Sequence, residues 1–186
     1  MKVDQHIIAL LKQGEIGVIP TDTLYGLVAS VRQERSVEEL YRLKQRKKDK
    51  PLIVLIADLV DLNLFGIELL QKEKELLNNF WPGKVSVIFP CAAKKFTYLH
   101  RGTNALAFRI PALNCLRDLL RATGPLVAPS ANPEGLAPAQ TLAEAKEYFG
   151  DQPAFYLDGG SLLGEPSALI TFQDGKIKVL RGKLEK

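Results

Sequence analysis

Apolar residues recur at helical spacing from Val3 to Lys12 (Ile7, Ile8, Leu10, Leu11) and stop at Gly14, which predicts a short amphipathic helix. Glu15 to Ile19 reads as a strand running into Pro20. Ser36-Val37-Glu38-Glu39 has the form of a capping box, so a helix is expected from there to about Lys44. After Pro51, the branched run Leu52 to Ile56 predicts a buried strand. Ile67 to Phe80 carries an amphipathic period that Trp81-Pro82-Gly83 ends. Val85 to Phe89 and Ala105 to Ile110 are the next expected strands, and Leu113 to Ala122 a further helix broken by Gly124-Pro125. Leu126 to Ala128 leads into the polar loop Pro129-Ser130-Ala131-Asn132-Pro133. Thr141-Leu142-Ala143-Glu144 is a second capping box, opening a helix to about Phe149. Phe155 to Leu157, Leu169 to Phe172 and Ile177 to Leu180 are expected late strands.

Strands and helices alternate, which predicts the α/β class, and a hairpin-like end around Asp174-Gly175 implies a mixed sheet. No repeat, low-complexity tract or linker divides residues 1–186, so one domain is expected. A chain of 186 residues that is 46% hydrophobic and 25% charged excludes disorder and coiled coil. Asp58 interrupts the most apolar stretch, Pro51 to Val60, short of the roughly 20 residues of a membrane helix. Asp4, Gln5 and His6 stand where a signal peptide would be apolar, and Cys91 and Cys115 offer no disulfide framework. A cytoplasmic protein with no membrane partner is the expectation.

Net charge is +4, and its whole surplus comes from one segment. Arg32 to Lys50 holds eight basic residues against four acidic, leaving 17 of each elsewhere. Such a segment is either a solvated helix face or an anion site for phosphates or an RNA backbone. His6 and His100 have no neighbours at ligand spacing, which argues against a histidine metal site or a Ser-His-Asp triad. Neither standard glycine-rich phosphate loop is present. Nucleotide chemistry here would therefore fall to Lys, Arg and hydroxyl side chains.

Several short motifs remain. Pro20-Thr21-Asp22-Thr23-Leu24-Tyr25-Gly26-Leu27 follows a strand, where ligand sites of α/β sheets gather. Lys44-Gln45-Arg46, Lys50-Pro51-Leu52-Ile53, Arg109-Ile110-Pro111, Ser130-Ala131-Asn132, Asp158-Gly159-Gly160 and Pro166-Ser167 come after it in that order. Each is weak alone, but the ordered set, spanning Ile16 to Arg181, resembles the YrdC-type threonylcarbamoyl-AMP synthases in their short, single-domain form. The resemblance implies a twisted mixed β-sheet with flanking helices and a concave basic cavity. It also implies synthesis of L-threonylcarbamoyladenylate and pyrophosphate from ATP, L-threonine and bicarbonate. Transfer-complex proteins would use the adenylate to modify tRNA.

The resemblance extends to individual residues. Lys44, Arg46, Ser130 and Asn132 match the family's catalytic set, with Arg46, Lys50, Ser130, Asn132 and Arg181 on ATP. Thr23, Arg109 and Ser167 match its threonine contacts, Arg109 holding the carboxylate; the other reading of Arg109 is an ion pair at a strand end. Tyr25 is equally a packed wall or a ligand. Mg²⁺ is expected to accompany ATP, with no dedicated protein metal site. Lys44 and Arg46, two apart, would point to opposite sides of a straight helix, so the helix is expected to end near Lys44 and the chain to become extended. The sequence departs from the family pattern at Lys47, Glu134, Ala168 and Arg181-Gly182. The competing proposal is a structured-RNA-binding module using Arg32 to Lys50, with Lys47 and Lys48 facing solvent or RNA. A carbamoyl-phosphate-using domain of hydrogenase maturation proteins is disfavoured by the two cysteines.

Overall fold

Nine strands form one mixed sheet among residues 4–173 and 176–184, the part of the chain that this computed structural model describes. In chain order the elements are α1 (Gln5–Gln13), β1 (Gly17–Pro20), β2 (Tyr25–Ser30), α2 (Glu34–Leu43), β3 (Ile53–Leu55), α3 (Gln71–Leu77) and β4 (Val85–Pro90). They continue with α4 (Thr97–His100), β5 (Ala105–Arg109), α5 (Asn114–Thr123), β6 (Leu126–Val127), α6 (Leu142–Phe149), β7 (Phe155–Tyr156), β8 (Ala168–Gln173) and β9 (Lys176–Arg181). Across the sheet the order is β7-β1-β2-β6-β3-β5-β4-β8-β9. β1–β7, β3–β5 and β4–β8 are parallel and the other neighbours antiparallel. The hairpin end expected at Asp174-Gly175 falls on residues outside the described part; the strands on either side pair antiparallel.

Alternation along the strands sorts side chains to two faces. Val18, Leu27, Ala29, Val54 and Val127 meet Val37, Leu40 and Tyr41 of α2 on one face. Ile19, Val28, Leu55 and Leu126 meet Ile7, Ile8 and Leu11 of α1 and Leu116, Leu119 and Leu120 of α5 on the other. Each such leucine, fully buried, contributes about 1.5–3 kcal/mol. On α1, the Asp4 carboxylate accepts the His6 N–H (2.9 Å) and Gly14, at φ 94°, closes the last turn.

The structure differs from the sequence expectations at three elements. Tyr25–Ser30, to which the sequence assigned no element, is a strand and pairs with β1 to make a hairpin tipped by Thr21–Leu24. α2 starts at Glu34, because Ser36, read as its cap, is buried and donates to the Gly14 carbonyl. The helix expected over Ile67 to Phe80 shrinks to α3: the Glu73 carboxylate takes the Leu70 N–H (2.7 Å), fixing the start, and the Asn79 amide donates to the Leu76 carbonyl (3.1 Å).

Two features shape the site. On β5, Leu106 and Phe108 are buried on the α2 side, while small Ala105 and Ala107 sit half-buried on the other. Ile53 and Ile88 flank Ala107 in register. Small side chains there leave room above the sheet. The second feature is a strap, the eleven residues Leu157 to Ser167, which joins β7 to β8 across six intervening strands. Those spacings amount to about 34 Å on a flat sheet, close to the roughly 40 Å that eleven residues reach fully extended. The strap is accordingly free of helix and strand.

Candidate active site

A cavity of about 410 Å³ lies over Ile53, Ile88, Ala105, Ala107 and Leu169, and is walled by residues from distant parts of the chain. Thr23, Lys44, Arg46, Arg109, Ser130, Ser167 and Arg181 all line it. Among these described lining residues four are cationic and none is acidic. Lys50 and Asn132, expected on ATP, are not among them.

The hairpin tip is built by one hydroxyl. Thr21 Oγ1 donates to the Leu24 carbonyl (2.7 Å) and accepts the N–H groups of Thr23 and Leu24 (both 3.1 Å). The two threonine hydroxyls lie 3.0 Å apart. Thr23 Oγ1 in turn accepts from Arg109 Nη1 (3.1 Å). Arg109 Nη2 pairs with Asp22 Oδ1 at 3.2 Å, both side chains being more than nine-tenths buried. Asp22 Oδ2 also takes the Ala112 N–H (2.9 Å). The tip thereby folds across the sheet to reach the end of β5, although β6 and β3 lie between β2 and β5. Burial lowers the Arg109 pKa, while Asp22 opposes that shift. Arg109 is ion-paired at the strand end, as one of its two sequence readings had it, and it also lines the cavity. Asp22, in the motif but given no role from sequence, is the residue that sets the guanidinium's orientation.

α2 stops at Leu43, and Gln45 takes φ 50°. Gln45 N–H returns to Arg42 O (3.1 Å) and Arg46 N–H to Tyr41 O (3.0 Å), the bond pattern of a Schellman turn. The expected break is therefore present, but through a left-handed residue rather than extended chain. It turns Lys44 and Arg46 to the same side. Lys44 Nζ is bonded to Ser130 O (2.7 Å), Asn132 O (2.8 Å) and Asn132 Oδ1 (3.0 Å), so its three hydrogens hold the Ser130–Asn132 loop. Burial and the nearby Arg46 bring its pKa down to about 7. Ser130 Oγ donates to Asn132 Oδ1 (2.6 Å), and the Asn132 amide donates to Pro133 O and Leu136 O. Asn132 is thus fully engaged behind the cavity wall.

Arg46 donates from Nε to Lys50 O (3.1 Å) and from Nη2 to Pro51 O (3.0 Å). Arg181 Nη2 donates to Ser167 O (3.0 Å), whose hydroxyl meets that of buried Ser86 at 2.8 Å. Neither arginine has a carboxylate partner among the described residues. Burial and repulsion from Arg46 depress the Arg181 pKa. Two unpaired guanidiniums facing one hollow make it receptive to polyanions. Lys50 turns outward and pairs with Glu134, while Lys47 and Lys48 are exposed. Tyr25 is a packed wall: fully buried, its hydroxyl donates to Gly160 O and accepts the Gly159 N–H (both 2.8 Å), pinning the strap.

Residues 9–182 match the Sua5/YciO/YrdC family model, whose description is telomere recombination. The chain belongs to this family. A threonylcarbamoyl-AMP synthase of Bacillus subtilis is 35% identical over 177 residues, covering 93% of this chain and 51% of that protein. One of Pyrococcus abyssi is 29% identical over 174 residues, with 92% and 51% covered. The chain thus spans about half the length of these curated relatives. The crystal structure of Pyrococcus abyssi Sua5 complexed with L-threonine superposes with a TM-score of 0.87 at 28% identity, over 95% of this chain and 52% of that one. Escherichia coli YciO shares the fold, with a TM-score of 0.83 at 22% identity over 95% and 86% of the two chains. Within the Sua5/YciO/YrdC fold, the basic cavity falls where the hairpin tip, the α2 end, β5 and the strap converge. Ser86 and Glu134 went unassigned from sequence; a serine inside the apolar run Val85–Phe89 was the only signal of the first.

Proposed function

We propose that this chain joins ATP, L-threonine and bicarbonate into L-threonylcarbamoyladenylate, releasing pyrophosphate and water, for transfer-complex proteins that modify tRNA. The observation that carries the reading is the convergence of Thr23–Arg109 and Arg46–Arg181 on one cavity. The former is a small polar pocket with a buried guanidinium, and the latter an uncompensated cationic wall. The threonine-bound relative and the names of the curated relatives support the same substrates.

Arg109 receives the threonine carboxylate as a charge-assisted pair. The Thr23 hydroxyl, beside Arg109, orients the amine by hydrogen bonding. The amine, once neutral, combines with bicarbonate and loses water to form a carbamate. A carbamate oxygen then attacks the α-phosphorus, the bond to the β-phosphate oxygen breaks, and pyrophosphate leaves with the electron pair. Arg46 and Arg181 stabilise the charge that builds on the leaving phosphates, in a cavity whose apolar floor strengthens each interaction. Ser130 can donate to a phosphate oxygen only by releasing Asn132, and Lys44 keeps that loop in place. Mg²⁺ would supply charge neutralisation on the triphosphate; among the described residues no cluster of three or more His, Cys, Asp or Glu is placed to hold it.

The test is pyrophosphate release across amino acids, with and without bicarbonate, in the parent chain and Arg46→Ala. Release is expected only with threonine and bicarbonate together, falling roughly 10²–10³-fold in the variant. Release without either co-substrate would overturn the reading.

A further inference from the structure

We propose that Glu134 is an internal stand-in for a phosphate, occupying the donors of the Lys47–Lys50 turn until the terminal phosphate of the nucleotide displaces it. The proposal rests on the reading of the cavity as an ATP site and goes on to identify a residue that sets its affinity.

The turn is closed by the Lys50 N–H on Lys47 O (3.2 Å). It presents one backbone donor and one ammonium to the same carboxylate: Glu134 Oε2 accepts the Lys47 N–H (2.7 Å), and Oε1 meets Lys50 Nζ. A turn N–H beside a lysine is a small anion site, and here the protein fills it with its own side chain. The site abuts the cavity, because Arg46 lines the cavity and holds the Lys50 carbonyl. Glu134 is delivered by the loop that carries Ser130, and its N–H donates to Lys44 O (2.7 Å). Its two donors pull the Glu134 carboxyl down to about 2, so it is charged wherever the enzyme would work. The pair is nonetheless weak: the Lys50 side chain is half exposed, and water screens such contacts. One carboxylate charge held this loosely yields to a multiply charged phosphate. Lys50, released by Glu134, then meets the phosphate from its place on the turn, which reconciles its absence from the cavity wall with the contact expected from sequence.

Glu134→Gln can keep an acceptor for the Lys47 N–H through its amide oxygen, while the charge and the acceptor that meets Lys50 are lost. Titration with inorganic pyrophosphate and with ATP, at two salt concentrations, should show roughly two- to fivefold tighter binding than the parent. Asp49→Asn, the same charge change on the same turn without an ion pair, should give less than half that gain. In a Lys50→Met background, Glu134→Gln should give none. Equal tightening by Asp49→Asn, persistence of the gain without Lys50, or unchanged or weaker binding in Glu134→Gln would each overturn the proposal. Pyrophosphate release separates the two readings: if no variant turns over, the synthase reading fails, while the pyrophosphate titration still decides whether Glu134 is displaced.

Discussion

Arg109 concentrates the conflict between stability and function in one side chain. Its guanidinium is 5% exposed, its Nε has no hydrogen-bond partner, and its charge is balanced by a single carboxylate. Arg109→Met should therefore cost about 3–5 kcal/mol in urea unfolding, because Asp22 is left buried and unpaired. Adding Asp22→Asn should recover part of that loss; a single-variant cost under about 1 kcal/mol would contradict the buried pairing. Glu134 behaves differently. Its folded pKa of about 2 lies below the ordinary 4.5, so the fold favours the ionised form. The stabilisation is complete above about pH 4.5 and is lost as pH falls toward 2. The stability difference between the parent and Glu134→Gln should be flat from pH 5 to 8 and shrink below 4.5. A difference that widens on acidification would show the opposite sign. Thr23 and Arg109, 86 positions apart, were singled out because each sits in a short motif of its own. Glu134 was given no role because it stands where the sequence departs from the motif pattern, and only the folded chain brings it to Lys50.

Elements with a clear period were the most readable. α5 and α6 fall within a residue or two of their expected limits, and Thr141 caps α6 through the Glu144 N–H as its motif predicts. β2 escaped because all six of its residues are buried, which removes the alternation that marks a half-exposed strand, and because Gly26 reads as a turn. The strap was recognisable as a loop, yet its glycines have steric duties that composition alone does not reveal. A Cβ on Gly164 would lie 2.2 Å from the Thr23 carbonyl oxygen, and one on Gly159 would lie 2.4 Å from Pro20 Cβ. Gly164→Ala must push the strap away from the hairpin tip. We expect it to raise half-saturation for threonine at least tenfold and that for ATP far less, measured by pyrophosphate release. Equal effects on both substrates would mean that the strap does not serve the Thr23 side alone.

Across the molecule, the cavity exists because β5 carries alanines on the face that α1 and α5 leave uncovered. Filling it should separate binding from folding. Ala107→Phe places a ring over the floor from a half-buried position, so ATP binding should fall more than tenfold in calorimetry. Its urea midpoint should stay near that of the parent; a large drop would mean that the floor is part of the packed interior. The basic segment is divided by the same architecture: Arg46 turns into the hollow while Lys47 and Lys48 stay in solvent. Charge counting located the segment but could not tell those roles apart, because the left-handed step at Gln45 decides them. The strap, finally, works like a bowstring drawn between two limbs. Ordinary surface loops accept insertions and deletions at little cost, but this one has only eleven residues to cross six strands. Removing three residues would force the sheet to bend further or β7 to detach, so the length of this segment is coupled to the depth of the cradle beneath it.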